Sequence, residues 1–280
     1  MLRRPLRFPV SDRLRKMAAV GLDLIFPLRC CNCNRLFGHL PESSADARQP
    51  DPVAVFGEVT ATVLCPACRN LFKAVRSPMC TCCGRPFETE HSRDHVCGRC
   101  QRKTPRFHRA RSAGQYETAF RAMIHAYKYQ GRVQLAGPLG LLLWRTFRRY
   151  WEPEEVDCVL PVPLHPRRLR QRGFNQALLL VNAWPRLAAR EAIAFDKKKI
   201  GIDLIRRNRH TDPQTGLDRD QRAVNVRHAF VLTDAEVVRK RRFLIVDDVL
   251  TTGATVDACA RLLLAAGADA VHVLTLARAD

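Results

Sequence analysis

The sequence predicts an α/β protein in which a mostly parallel sheet is flanked by helices and preceded by a small cysteine-rich module. Three observations predict this arrangement. Eight of the 12 cysteines form four C-x-x-C pairs within the first 100 residues. From residue 106 onwards, strand patterns alternate with helical patterns, which is typical of parallel sheets. One apolar run, Phe243–Val246, ends in two adjacent aspartates and a Thr/Gly-rich turn.

Residues 1–29 predict a basic amphipathic lead-in helix, because apolar residues recur there at helical spacing. Asp23 interrupts the apolar stretch and no A-x-A cleavage site follows it, so the segment does not resemble an export signal. No run of about 18 apolar residues is present, so no transmembrane span is expected. We therefore expect a cytoplasmic protein whose reduced thiols are available to bind metal.

Residues 30–105 predict a zinc-binding module. Because one C-x-x-C turn presents two thiolates to one ion, and a structural zinc takes four, the four pairs predict two Zn²⁺ sites. Sequential and interleaved pairing both fit the sequence. A redox dithiol fits less well, because it would be one C-x-x-C beside a βαβ unit and not four in tandem before the α/β region. An iron–sulfur cluster fits less well, because the spacings lack the clustered ferredoxin pattern. The predicted ligands are Cys30, Cys33, Cys65, Cys68, Cys80, Cys83, Cys97 and Cys100.

Residues 106–280 predict a second domain built from alternating elements. Its strands are expected at Ala110–Tyr116, Val156–Val162, Asp203–Arg206, Ala229–Leu232, Phe243–Val246 and Val271–Leu276. Its helices are expected at Glu117–Tyr129, Gln134–Trp151, Asn175–Glu191 and Thr255–Ala266. The last helix is the best marked, because apolar residues repeat along one face and Gly267 follows its end. Cys158 and Cys259 lie in apolar surroundings and are expected in the core.

The strongly basic composition favours anionic partners. The 280 residues include 47 Lys+Arg and 27 Asp+Glu, which gives a formal net charge of +20. Such a chain attracts nucleic acid, phosphorylated substrates or acidic lipid. A general preference for arginine at solvated positions would produce the same total. The charge therefore narrows the class of partner without identifying it.

The acidic pair Asp247-Asp248 ends a predicted parallel strand, at the sheet edge where open α/β sheets bind ligands. The loop that follows leads into a helix N-terminus, where free amides and hydroxyls can hold a phosphate. Carboxylates beside a phosphate cradle suit a sugar phosphate. A receiver domain would continue for roughly 120 residues after such a pair, whereas 32 residues follow Asp248. A Walker loop needs G-x-x-x-x-G-K-[ST], which does not occur, and a merely structural turn would leave both carboxylates without a role.

This stretch resembles the PRPP-binding signature of type I phosphoribosyltransferases. The resemblance implies that Asp247 and Asp248 hold the ribose 2′- and 3′-hydroxyls with the assistance of Mg²⁺. It further implies that the loop grips the 5′-phosphate. The loop residues concerned are Thr251, Thr252, Gly253, Ala254 and Thr255. Ala254 stands where Gly or Ser is common in the signature, but its backbone amide remains available.

Further segments are similar to the ComF-type competence family, which joins a zinc-binding N-terminal module to a phosphoribosyltransferase-like domain. The segments are IFPLRCCNC, MIHAYKYQGR (123–132), LPVPLHPRRLRQRGFNQA (160–177) and RRNRHTDPQTGLDRDQRAVNVRHAF (206–230). They cover nearly the whole chain in the expected order. The long spacing between the first two cysteine pairs, which includes residues 41–63, departs from the family pattern.

The resemblance also implies roles for two basic segments. Residues 160–177 resemble the loop on the pyrophosphate side of the site followed by the start of a basic helix, with Arg172, Asn175 and Gln176 as candidate PRPP-binding residues. A basic surface loop is the alternative. Residues 206–222 lie where these enzymes carry a hood over the site, and composition alone fits a solvated loop equally well. The positions of interest there are Arg206, Thr211, Gln214 and Arg222. Lys128 could reach a phosphate or cap its helix.

Three functions remain open at this point. The first is a PRPP- and Mg²⁺-dependent phosphoribosyltransferase whose acceptor is a base, an amine or a nucleic-acid component. The second is a competence factor that binds single-stranded DNA, and other DNA-uptake proteins, with a non-catalytic phosphoribosyl site. The third is a nucleobase-salvage enzyme without affinity for DNA.

Overall fold

The computed structural model describes residues 27–38, 51–88, 93–208 and 229–279. In the N-terminal module these residues form a small hairpin and three short helices. The bounds are β1 Leu28–Arg29, β2 Leu36–Phe37, α1 Pro52–Val59, α2 Pro66–Arg69 and α3 Gly98–Arg102. Cys65 and Cys97 are the N-cap residues of α2 and α3, so each of these C-x-x-C turns opens a helix. Of the predicted lead-in helix, only residues 27–29 lie within the described part, and two of them form β1.

The second domain contains six strands and six helices among the described residues. They are β3 Arg109–Gln115, α4 Thr118–Tyr129, α5 Ala136–Tyr150, β4 Cys158–Pro161, α6 Pro166–Arg172, α7 Gln176–Val181, α8 Trp184–Arg190, β5 Ile205–Arg207, β6 Phe230–Leu232, β7 Arg242–Leu250, α9 Ala254–Ala265 and β8 Ala270–Arg278. The predicted fold class is confirmed: a parallel sheet with flanking helices follows a cysteine-rich module. None of the described helices combines the length and apolarity needed to cross a membrane.

Four parallel strands form the main sheet, in the order β3-β8-β7-β4. Successive residues of β7 face opposite sides, because side chains alternate along a strand. Leu244 and Val246 belong to one apolar core, which α5 and α7 cover. Phe243 and Ile245 belong to the other core, which α9 covers. The sheet is therefore buried on both faces, as parallel sheets require.

Three local predictions differ from the structure. The single helix predicted over Asn175–Glu191 is two helices, α7 and α8, because Pro185 in the first turn of α8 cannot continue a preceding helix. Segment 160–177 was expected to carry only the start of a basic helix, whereas the structure has a complete short helix there, α6, which begins at Pro166 and ends before Gly173, at φ 81°. Within the described part of the chain, strands β5 and β6 pair only with each other, in antiparallel register, and so form a separate ribbon.

The cysteine module covers the edge of the main sheet at β3. The Val75 amide donates to Ala113 O at 3.1 Å, the Gln115 amide donates to Lys73 O at 2.8 Å, and the Ala110 amide donates to Cys82 O at 2.7 Å. Edge strands invite pairing with other chains unless they are covered. The module therefore satisfies backbone groups of β3 that would otherwise be open to another strand.

Candidate functional site

The eight predicted cysteine ligands lie in two clusters of four. Within each cluster the four sulfur atoms lie within 4.8 Å of one another. The first cluster is Cys30, Cys33, Cys65 and Cys68, and the second is Cys80, Cys83, Cys97 and Cys100. The pairing left open by the sequence is thus sequential. Four thiols converging at this spacing fit a tetrahedral structural zinc, and Cys31 and Cys82 lie outside both clusters.

The two clusters differ in their surroundings. In the first, Cys33 is exposed, whereas all four cysteines of the second are buried. The first cluster packs within the core that α5 and α7 cover, and the second packs within the core that α9 covers. Cys158 and Cys259 are buried, as expected for core residues.

The phosphate-type loop lies between β7 and α9. β7 continues through the acidic pair to Leu250, and α9 begins at Ala254. Gly253 has φ 82°, a left-handed conformation that glycine adopts without the steric cost that other residues meet. The Ala254 amide donates to the Thr252 hydroxyl at 3.3 Å. The signature residues are therefore brought together as a tight turn at a helix N-terminus, which is the local geometry that binds phosphate.

The two carboxylates of the acidic pair have different partners. Asp248 is buried, and its Oδ1 lies 2.5 Å from Lys128 Nζ. Its Oδ2 is buried and accepts no hydrogen bond from any described residue. Asp247 is partly buried, and its Oδ1 accepts the Asp248 amide at 2.8 Å. Burial, and then the negative charge of Asp248, raise the pKa of Asp247 to about 7.

Lys128 is held at the acidic pair by α4. Burial alone would lower the pKa of this lysine, but the charge and hydrogen bond of Asp248 outweigh that effect and raise it. Lys128 is therefore charged, and it neutralises part of the acidic pair. The sequence left its role undecided because it lies 120 positions before Asp248, and no local pattern indicates that contact.

Two of the predicted residues of segment 160–177 lie beside α4. Arg172 Nη1 donates to Gln176 Oε1 at 2.5 Å, and the Arg172 guanidinium lies 5.1 Å from the Tyr129 ring centroid. The Gln176 carbonyl accepts the Tyr127 hydroxyl at 2.8 Å. These contacts place Arg172 and Gln176 next to the end of α4 that carries Lys128.

Asn175 caps helix α7 and contacts the loop after β4. Its Oδ1 accepts the amides of Ala177 and Leu178 at 3.0 and 3.2 Å, which caps α7. Its Nδ2 donates to Val162 O at 3.1 Å. The side chain thus ties the loop after β4 to α7.

Of the four positions of interest in the predicted hood, one lies among the described residues. Arg206 lies in β5 and is exposed, whereas Thr211, Gln214 and Arg222 lie outside the described residues. Its neighbour Arg207 is buried, and its charge acts on the carboxylate of Asp247. Sequence reasoning did not select Arg207. Buried Ile205 and Arg207 alternate with exposed Arg206 along β5, and this period of two was the available signal.

A cavity of about 350 Å³ lies between the phosphate-type loop and the second cysteine cluster. The loop residues 250–254 line one side, and residues 99–107 line the other. Arg99 Nη2 donates to Thr252 O across this space. The sequence gave no reason to connect Arg99 with the loop, because 153 positions separate the two.

Comparisons with known proteins find two different families in separate parts of the chain. A family model described as phosphoribosyl transferase domain matches residues 185–280, and one described as double zinc ribbon domain matches residues 57–101. Competence protein F of Haemophilus influenzae is 30% identical over 220 residues, which cover 77% of this chain and 90% of that protein. DNA utilization protein YhgH of Escherichia coli strain K12 is 34% identical over 218 residues, with the same two coverages.

A third relative is more distant. Competence protein ComFC of Bacillus subtilis strain 168 is 26% identical over 222 residues, which cover 77% of this chain and 84% of that protein. The relatives therefore match across both the cysteine module and the parallel sheet. With its double zinc ribbon followed by a phosphoribosyl transferase domain, the chain belongs to the ComF-type competence family.

Proposed function

We propose that the protein binds PRPP, or a related ribose 5-phosphate, with Mg²⁺ at the carboxyl end of β7. In this proposal the site serves DNA uptake or nucleic-acid and nucleotide processing in the cytoplasm. The observation that carries the proposal is the buried Oδ2 of Asp248, an acceptor with no partner among the described residues. Such an oxygen is costly to bury unless a donor reaches it, and a ribose hydroxyl is a donor of the required kind.

The neighbouring groups support the same ligand. The loop that ends at Ala254 offers amides and hydroxyls to a 5′-phosphate. Lys128 balances the charge of Asp248, so that the pair can accept a ligand that is itself anionic. Mg²⁺ prefers carboxylate and phosphate oxygens, which Asp247 and the pyrophosphate of PRPP would supply. Arg172, near the end of α4, would face the pyrophosphate.

In its enzymatic form this function is phosphoribosyl transfer. The bond from ribose C1 to pyrophosphate breaks, and pyrophosphate leaves with the electron pair. A bond forms from C1 to a nucleophilic atom of the acceptor, which releases a proton. A base, an amine or a nucleic-acid component would fit as acceptor, and radiolabelled pyrophosphate release with each class distinguishes turnover from binding.

Isothermal titration of the zinc-loaded protein with PRPP and Mg²⁺ tests the binding step. We expect saturable binding by the intact protein and at least a hundredfold loss of affinity in the Asp247→Asn/Asp248→Asn variant. A control variant, Asp234→Asn/Asp269→Asn, removes the same charge from two exposed aspartates and should bind normally. Absence of PRPP binding by the intact protein, or equal binding by the acidic-pair variant, would refute the proposal.

A second candidate function, binding of single-stranded DNA, is favoured by the position of α6. This helix has no buried residue and carries Arg167, Arg168, Arg170 and Arg172 at the carboxyl edge of β4. A basic exposed helix beside a sugar-phosphate site could hold the backbone of a strand. The names of the Escherichia coli and Haemophilus influenzae relatives, which refer to DNA utilization and competence, agree with this candidate.

Fluorescence anisotropy with a labelled single-stranded oligonucleotide tests this second function. We expect affinity to fall steeply with salt, because phosphate contacts release counterions. Arg167→Gln/Arg170→Gln should weaken binding and flatten the salt dependence. The matched control is Lys197→Gln/Lys198→Gln, which removes two exposed charges at the opposite end of β4, where Lys199 contacts Pro153 and Val156. No binding at low salt would exclude this function.

A further inference from the structure

The second cysteine cluster is joined to the phosphate-type loop at three points. At the entry of the loop, Leu250 pairs with Arg278, whose Nη1 donates to Cys83 O at 2.7 Å. In the middle, Arg99 Nη2 donates to Thr252 O. At the exit, the Arg106 amide donates to Asp257 Oδ1 at 2.6 Å. Arg99 is thus the direct contact between the cluster segment and the loop, and the contacts of Cys83 and Arg106 flank it on either side.

Arg99 is the central contact of the three. It lies inside the Cys97–Cys100 turn, so the ion that binds these two sulfurs fixes the backbone from which its side chain extends. Its guanidinium fixes a carbonyl of the turn whose amides would face a phosphate. A donor that holds this carbonyl sets the orientation of the peptide groups on either side of it.

The first cluster lacks such contacts among the described residues. The part of the module around the first cluster contacts the core that α5 and α7 cover, through Phe56 and Phe72, which pack on Phe120 of α4. Among the described residues, Arg99 of the second cluster and Arg106, just after the module, donate to residues 250–257, and Cys83 O accepts from Arg278, the strand partner of Leu250. Among the described residues, the segment of the second cluster therefore hydrogen-bonds to the loop, whereas that of the first does not.

We propose that zinc in the second cluster sets the conformation of the phosphate-type loop through Arg99, so that zinc retention and sugar-phosphate affinity are coupled. The sugar-phosphate part rests on the proposed function. Coupling of this kind is reciprocal: if the zinc strengthens ligand binding by some factor, the ligand strengthens zinc binding by the same factor. Arg99 acts as a positioning residue, and the second cluster controls the site without touching the ligand.

Zinc release to a colorimetric chelator measures the reciprocal effect. The zinc-loaded protein should lose its two ions in separable phases, assigned with Cys33→Ser for the first cluster and Cys100→Ser for the second. PRPP with Mg²⁺ should slow the second-cluster phase about tenfold, the effect of one charge-assisted hydrogen bond, and leave the other phase unchanged. The acidic-pair variant, which does not bind PRPP in our proposal, corrects for direct chelation by the ligand. Equal rates with and without bound PRPP would overturn the coupling.

Hydrogen exchange in the ligand-free protein tests the role of Arg99 separately. Arg99→Ala keeps all eight cysteines, so both zinc ions should be retained. We expect amides 251–255 to exchange about tenfold faster, since a hydrogen bond to a charged donor is lost, while β7 and β8 keep their protection. PRPP affinity should fall by a similar factor. Arg93→Ala, which removes an exposed arginine of the cysteine module that does not line the cavity, should change neither quantity.

The outcomes separate this inference from the proposed function. Unchanged loop exchange in Arg99→Ala would overturn the coupling even if the intact protein binds PRPP. Faster loop exchange in a protein that binds no PRPP would support the control of the loop by the second cluster and refute the sugar-phosphate function. Loss of PRPP affinity without a change in ligand-free exchange would make Arg99 a ligand contact instead, which also contradicts the proposal.

Discussion

At the scale of single residues, the acidic pair is asymmetric. Asp248 is buried and ion-paired with Lys128, whereas Asp247 is partly exposed and lies beside the buried Arg207. The raised pKa of Asp247, about 7, means that this carboxylate is only partly ionised at neutral pH. The charge needed to bind a metal or a ribose hydroxyl thus depends on pH in the physiological range.

Affinity for PRPP with Mg²⁺ should therefore increase with pH. Only ionised Asp247 accepts hydrogen bonds at both oxygens and binds Mg²⁺. Across a pKa of about 7 the ionised fraction rises roughly tenfold between about pH 6 and pH 8, and we expect the association constant from calorimetry to follow it. Because the folded pKa lies above the ordinary value of about 3.9, the ligand-free fold should lose stability as pH rises through 7.

The Asp247→Asn variant supplies the control for this pH dependence. Its affinity should be lower throughout and should change only with the ligand's own 5′-phosphate and pyrophosphate, which also ionise near about pH 6. The difference between the two profiles isolates Asp247. Profiles of the same shape in both proteins would show that this carboxylate does not titrate in the binding reaction.

At the scale of secondary structure, the elements with strong local patterns were predictable from the sequence. The apolar runs of β7 and β8 and the apolar face of α9 were placed to within a few residues. The pairing of β5 with β6 was not predictable, because strand partners depend on contacts between distant residues. The site residues differ in predictability for the same reason. The loop signature is a local motif that the sequence itself shows. Lys128, Arg207 and Arg99 come near it only through tertiary packing.

Packing of α5 against α7 depends on a glycine that the sequence pattern does not mark. A Cβ at Gly140 would lie 2.7 Å from Leu180 O, so the two helices approach too closely for any side chain. We expect Gly140→Ala to reduce the free energy of unfolding by about 1–3 kcal/mol, the usual cost of overpacking. Chemical denaturation followed by circular dichroism measures this change.

Gly137 is the matched control in the same helix. No atom lies within 4 Å of a Cβ built there, so Gly137→Ala gains helix propensity without a clash. We expect it to leave stability unchanged or raise it by up to about 1 kcal/mol. Equal destabilisation by both substitutions would mean that the helix, and not the α5–α7 contact, determines the effect.

At the scale of the whole molecule, each cysteine cluster belongs to a different core of the two-sided sheet. The first cluster shares a core with α5 and α7, and the second shares a core with α9. The module also supplies backbone hydrogen bonds to β3 from Lys73, Val75 and Cys82. The module is therefore part of the folded unit, and it completes the sheet at its edge.

Removal of zinc should consequently cause self-association. Without metal, each cluster would bring four sulfurs together with no bond between them, and small modules of this kind unfold when the metal is removed. Unfolding would expose the β3 edge, whose free amides and carbonyls are a template for another chain. We expect chelator treatment to shift the protein to larger species in sedimentation velocity, more strongly as protein concentration rises.

Adding back one metal ion at a time tests whether loss of zinc causes that self-association. Zn²⁺ added soon after the chelator should restore the original sedimentation profile, and Mg²⁺ at the same concentration should not, because it binds thiolates poorly. Hydrogen exchange should show that protection of β3 is lost first, while β7 and β8, in the middle of the sheet, remain protected. A metal-free protein that keeps its sedimentation profile and its β3 protection would contradict this prediction. It would show that the module packs on the sheet without zinc, through contacts such as that of Phe72 with Phe120.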